Sequence, residues 1–226
     1  MLINRLNLEG MKESEAIRKT ENFVSDYFKN EGSGHDWFHI DRVRKMAISI
    51  GSSEGCDLFI VEIAALLHDL DDWKLNNSES DDVSKTEKWL NQLAISPDVS
   101  YRILRIISEV SYTGAGCETP VSSVESSVVQ DADRLDAMGA IGIARTFAYG
   151  GHKNRLIYDP SVSPEIHADF NEYKKSSTPT INHFYEKLLL LKDRMNTETA
   201  KSIAESRHQF MVSFLAQFYD EWDAKK

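Results

Sequence analysis

His68 and Asp69 close an apolar run, AALLHDLDDWK at 64–74, with Asp71 and Asp72 directly behind them. Buried carboxylates are costly unless a cation or hydrogen bonds compensate them. A divalent metal ion would compensate; the plain alternative is a helix that exits to solvent at its polar end. Imidazole nitrogen beside carboxylate oxygen suits Mn, Fe, Zn, Ni or Co, with Mg less favoured by histidine. Consecutive residues of an α-helix point about 100° apart, so His68 and Asp69 can share one ion only at a helix end or bend.

Two other segments carry groups of the same kind. His39 begins HIDRV at 39–43, and Asp131-Ala132-Asp133-Arg134-Leu135 lies in a further apolar stretch. Three buried-looking helices thus each bring His or Asp, in the order H…HD…D. HIDRV, AALLHDLDDWK and VVQDADRLDAMGAIGIAR at 128–145 resemble the motifs of the HD-domain superfamily of metal-dependent phosphohydrolases. With GHDWFHIDRV, TINHFYEKLL and TETAKSIAESRHQFMVSFLAQFYDEW, the chain looks like a bacterial subgroup of small stand-alone HD hydrolases, over most of residues 33–222. The resemblance implies an all-α fold and a divalent ion held by His39, His68, Asp69 and Asp133. It also implies nucleotide substrates: (deoxy)nucleoside triphosphates, cleaved with release of pyrophosphate.

Two His and two Asp leave positions free on a six-coordinate ion, where water becomes a good nucleophile and a phosphoryl oxygen can be polarised. Asp72 stands four residues after His68, where the family motif is acidic. It is read either as general acid or base or as a helix-end carboxylate in solvent. Lys74, close behind, joins Asp72 in the candidate catalytic set, whereas Asp71 reads as a surface residue. Phosphate calls for positive charge, and Arg134 and Arg145 are further candidates to supply it. His35 lies one turn before His39; the family pattern gives the ligand role to His39, leaving His35 to orient a neighbour or meet substrate. In the same way the ADRL context selects Asp133, and Asp131 and Asp136 become supporting acceptors or salt-bridge partners. His183 and Lys187 share a face at i, i+4 and match the family's HFYEK element, as substrate-binding residues reaching in from the far side of a cleft.

The elements that must position these groups read as helix after helix. Residues 11–31 are amphipathic; Ile40, Val43, Met46, Ala47 and Ile50 form one buried stripe, ended by Gly51 and Gly55. LFIVEIAALLHDL, from Leu58 to Leu70, predicts a central helix buried on most sides. Shorter helices are expected at 84–94 and 98–111. The segment 122–149 is helical by its Ala, Leu and Met content, with Gly139 and Gly142 marking either a close approach or a break. Residues 150–180 hold three of the five prolines and predict an irregular excursion, read equally as a surface loop or a lid. Helices from about Thr180 to Met195 and from about Thr197 close the chain. No repeat or linker divides it, so one HD-type domain is expected: metal motif 35–136, lid-like loop 150–180, C-terminal helical pair 180–222.

The 226 residues are 41% hydrophobic and 27% charged, a balance that supports a globular core. A formal charge of −10 repels polyphosphate backbones, which argues against a nucleic-acid binder but leaves room for a small anionic substrate beside a metal. Cys56 and Cys117 form no CxxC pair and read as free thiols of a reducing cytosol. The N-terminus turns polar too soon for a signal peptide and no run is long enough to span a bilayer, so the expected location is cytoplasmic. A homodimer is compatible with a helical domain of this size. The rival readings are a catalytically silent nucleotide-sensing HD module, a hydrolase of cyclic nucleotides or nucleoside monophosphates, and a helical interaction protein with a coincidental motif.

Overall fold

Apolar residues at steps of three and four dictate helices, and the computed structural model is helical in every regular element of the residues it describes, 2–29, 36–71, 84–110, 119–165 and 178–226. The elements are α1 (Leu2–Tyr27), α2 (Trp37–Glu54), α3 (Leu58–Leu67), α4 (Lys85–Gln92), α5 (Pro97–Val110), α6 (Val124–Asp136), α7 (Gly139–His152), α8 (Asn182–Glu186), a 3₁₀ helix (Leu188–Arg194) and α9 (Glu198–Trp222). Two compact units divide the chain: Met1–Val110 with Val121–Val129, and Ser111–Pro120 with Gln130–Lys226. The division falls within α6.

In the first unit α3 packs against α1, α2 and α5. Ile60, Val61, Ile63 and every residue from Ala64 to Leu67 are buried, as the apolar run predicts. Each such Leu or Ile contributes about 1.5–3 kcal/mol by leaving water. Glu62, the one charge on α3, is answered by Arg44, whose Nε and Nη2 each lie 2.7 Å from its carboxylate. Asp57 caps the start of α3, accepting from the Ile60 N–H at 3.2 Å. Of the two glycines expected to end α2, Gly55 does so, in the left-handed conformation at φ 71°. Gly51 stays inside the helix and answers a close approach instead: a Cβ there would sit 3.1 Å from Cys56 Sγ and Leu58 Cδ2. α4 is fixed to α1 by Trp89, which stacks on Phe23 at 4.0 Å between centroids and donates to Thr20 Oγ1 at 3.0 Å.

In the second unit α9 packs on α7 and on the 3₁₀ helix. Gly139 resolves the glycine ambiguity: it opens α7 at φ +68°, a break after α6 that L side chains disfavour. The irregular stretch expected from 150 starts later, because α7 runs to His152; residues 153–165 are irregular, and 166–177 of the expected loop lie outside the described residues. The returning chain pairs with the irregular part: Thr180 N–H donates to Leu156 O (2.8 Å) and Ile181 N–H to Ile157 O (3.0 Å). The long helix expected over 180–195 is replaced by α8 and the 3₁₀ helix, broken at Lys187 (φ −143°). A three-residue repeat places Leu188 and Leu191 on one face, and both are buried.

Candidate metal centre

α2 begins at Trp37 under the cap of Asp36, whose carboxylate accepts the His39 N–H at 2.8 Å. That bond sets His39 in the first turn, where its ring is buried. α3 ends at Leu67, and His68 is its C-cap, followed by a tight turn in which Leu70 N–H donates to Leu67 O at 3.0 Å. His68 and Asp69 therefore occupy the helix end that adjacent ligands require. His68 Nδ1 lies 2.8 Å from the Ala65 carbonyl oxygen. A carbonyl only accepts, so Nδ1 carries the proton and Nε2 presents its lone pair.

These bonds converge on Asp69. Its Oδ2 lies 3.3 Å from His39 Nε2 and its Oδ1 lies 3.5 Å from His68 Nε2, with the two rings edge to face at 5.3 Å. One donor atom from each of the three residues falls within 4.8 Å of the others, and all three residues are buried. Two ligands each about 2.1 Å from one ion stand roughly 3.0–3.5 Å apart, so these separations fit a divalent cation. Two imidazoles with one carboxylate is also the donor set that suits first-row transition metals.

The other predicted residues are placed in the second unit or lie outside the described residues. Asp133 sits half-buried on α6, between Asp131 and Arg134. Asp131 is fully buried and holds the start of α9: its carboxylate accepts from the backbone N–H of Asn196 and Thr197, from Asn196 Nδ2 and from Thr197 Oγ1, at 2.8–3.1 Å. Burial outweighs these donors and raises its pKa above the ordinary aspartate value. Arg134, also buried, donates to the Arg194 carbonyl and to Thr119 Oγ1, and Arg145 Nη1 pairs with Asp136 Oδ2 at 2.8 Å. These bonds give both arginines structural work, Arg134 from α6 and Arg145 from α7. His35, Asp72 and Lys74 lie outside the described residues.

Asp71, a surface residue by its sequence, is instead tied down. Oδ1 accepts from the Lys85 N–H at 2.9 Å and Oδ2 from the Thr86 N–H at 3.1 Å, at the start of α4. No sequence signal marks this contact, because it spans fourteen positions. Asp36 is legible: an Asp three residues before the buried His39 is an ordinary N-cap signal.

His183 and Lys187 stay close, as their spacing predicts. Burial, followed by the charges of Lys187 and Arg155, lowers the His183 pKa from 6.5 to about 3. The imidazole is therefore neutral at physiological pH while Lys187 can supply charge. The neutral ring's contribution to stability is complete above pH 6.5 and is lost as pH falls toward 3, where the unfolded chain alone takes up the proton. Between pH 6.5 and 4 the melting temperature of the wild type should fall more steeply than that of His183→Asn. Parallel curves would contradict this.

No family model matches the sequence. YpgQ of Bacillus subtilis is 40% identical over 209 residues, spanning 92% of this chain and 94% of YpgQ. The crystal structure of an HD-superfamily hydrolase from Bacillus thuringiensis is 48% identical, with TM-score 0.75, covering 94% of this chain and 99% of that one. A crystal structure of B. subtilis YpgQ in complex with ADP matches with TM-score 0.73 and 38% identity, over 91% of this chain and 97% of that one. Among the described residues no helix is long and apolar enough to cross a membrane.

Proposed function

The chain belongs to the HD-superfamily hydrolases, and from that premise we propose that it is a metal-dependent phosphohydrolase of nucleotides, with (deoxy)nucleoside triphosphates cleaved to release pyrophosphate. The observation that carries the reading is the buried group of His39, His68 and Asp69. Nucleotide as the substrate class is supported by the ADP complex of YpgQ. The triphosphate and the pyrophosphate product follow from the motif resemblance. The expected setting is the cytoplasm and the expected substrate a free nucleotide, since a charge of −10 opposes a nucleic-acid strand.

In this reading His39, His68 and Asp69 hold the ion, and Asp133 is the fourth ligand. When bound, such an ion acidifies a coordinated water and polarises a phosphoryl oxygen. The protein's own part begins with orientation: the Ala65 carbonyl fixes the His68 ring, and the Asp36 cap fixes the turn that carries His39. Burial of all three side chains keeps bulk water from competing for the site. Asp72 is assigned proton transfer, with Lys74 beside it. Lys187 supplies charge to the phosphates, and His183 offers a neutral hydrogen-bonding ring. Arg134 and Arg145 are assigned to the phosphates as well, each steadied by its bond within the fold, Arg134 to Thr119 and the Arg194 carbonyl and Arg145 to Asp136.

A product-resolved assay tests the proposal. Metal-stripped protein is reconstituted separately with Mn, Mg, Co, Ni, Fe and Zn and offered nucleoside mono-, di- and triphosphates and cyclic nucleotides. Pyrophosphate from a triphosphate, absent in His68→Ala, is the expected result. Turnover of a monophosphate or cyclic nucleotide alone would change the substrate class. Nucleotide binding without turnover in any metal form would establish the sensing module instead.

A further inference from the structure

We infer that Asp71 is a positioning residue for the group formed by His39, His68 and Asp69, an inference that rests on reading that group as the metal centre. Asp69 lies beyond the last residue of α3, in a turn closed by the Leu70 to Leu67 bond. Among the described residues, Leu70 and Asp71 continue as turn and add no helical ladder to hold its direction. Upstream the turn is fixed by His68 on the Ala65 carbonyl, and Leu70 is fully buried. Downstream the fixed point is Asp71, whose two carboxylate oxygens accept the first two N–H groups of α4.

This contact is well suited to a tether. The start of a helix leaves its first N–H groups open and carries a partial positive charge. Asp71 satisfies two of them with a full negative charge, while Ser84, the local N-cap, accepts the Glu87 N–H at 3.1 Å. α4 has eight residues, too few to be stable alone. It is held in place by the buried Leu90 and Thr86 and by the contacts of Trp89 with Phe23 and Thr20 on α1. Asp71 thus connects the turn bearing His68 and Asp69 to an element anchored elsewhere in the same unit. The 3.3 and 3.5 Å separations around Asp69 depend on that turn staying in place.

A role as a mere cap for α4 is separated from positioning by comparing Asp71→Ala with Ser84→Ala. Ser84→Ala weakens the same helix start without touching the turn. Two readouts are used: the ¹⁵N signals of the His39 and His68 rings in metal-free protein, and Mn²⁺ affinity by electron paramagnetic resonance. Asp71→Ala should displace both ring signals and weaken Mn²⁺ binding about tenfold or more, the scale on which groups supporting a metal ligand act. Ser84→Ala should lower the melting temperature and leave both readouts unchanged. Asp71→Asn keeps one acceptor and should fall between Asp71→Ala and wild type; it carries the comparison if Asp71→Ala does not fold. Wild-type ring signals and Mn²⁺ affinity in the Asp71 variants, or equal changes in Ser84→Ala, would overturn the inference. Wild-type protein that takes up no Mn²⁺, with ring signals that still move in Asp71→Ala, would remove the metal reading and leave the positioning role standing.

Discussion

Asp69→Ala is expected to strip the protein of bound divalent metal and to lower turnover by about three orders of magnitude or more, the scale on which deleting one member of a catalytic unit acts. The expectation follows from the position of the side chain. Its two oxygens face one imidazole each, at 3.3 and 3.5 Å, so no other single truncation removes a donor shared so evenly by the group. His68→Ala should cost about as much, and the double variant should be little worse than either, because residues that act as one unit are far from additive. Metal content by mass spectrometry and turnover with a nucleoside triphosphate are the measurements, with melting temperature to separate loss of function from loss of fold. A folded Asp69→Ala protein with wild-type metal content and turnover would refute the assignment of the centre.

The largest effect on stability is expected at Asp131. Asp131→Ala removes the acceptor for four donor groups, from the backbone and side chains of Asn196 and Thr197. It leaves the Thr197 donors buried and those of Asn196 half-buried, with Asn196 Nδ2 still on Gln130 Oε1; an unsatisfied buried donor costs about 1–3 kcal/mol. Some will find water, so the net loss is on the order of 3 kcal/mol, near the upper end for a lost cap with buried partners. In a chain of this length that corresponds to a fall of roughly 6–12 °C in melting temperature. Asp131→Asn should recover only part of it, because the amide nitrogen would face further N–H donors. Thermal melts of the three proteins check this; an Asp131→Ala variant melting within about a degree of wild type would contradict the cap.

The central helix and its end are legible in the amino-acid sequence alone. The run from Leu58 to Leu70 has too little polarity for a surface helix, and α3 is buried at Ile60, Val61 and from Ile63 to Leu67. The apolar run predicts helix as far as Leu70, whereas α3 stops at Leu67; the requirement that His68 and Asp69 share one ion only at a helix end or bend is met by that earlier stop. Local rules suffice because the constraint is local. The long-range ties escape for the opposite reason. Asp71 reaches α4 and Asp131 reaches the start of α9, and nothing in a one-dimensional pattern tells a solvated aspartate from one that caps a distant helix. The C-terminal pair fails differently. Four consecutive leucines suit an α-helix by propensity, yet burial of Leu188 and Leu191 selects a three-residue period, and tertiary packing overrides propensity. The valines of 122–149, which also suit a strand, belong to α6, where Val128 and Val129 are fully buried.

The same α3 has a cost when the protein unfolds. A helix whose water-facing edge is only Leu58, Phe59 and Glu62 has little polar surface to keep it soluble once its neighbours α1, α2 and α5 let go. FIVEI and its neighbours are β-branched and apolar, the composition that adds strand to strand between chains. Glu62 alone interrupts the run, and it acts as a gatekeeper only after Arg44 releases it. Heat or denaturant should therefore drive this protein into precipitate before refolding can compete, and its working lifetime would be set by how seldom α3 is uncovered.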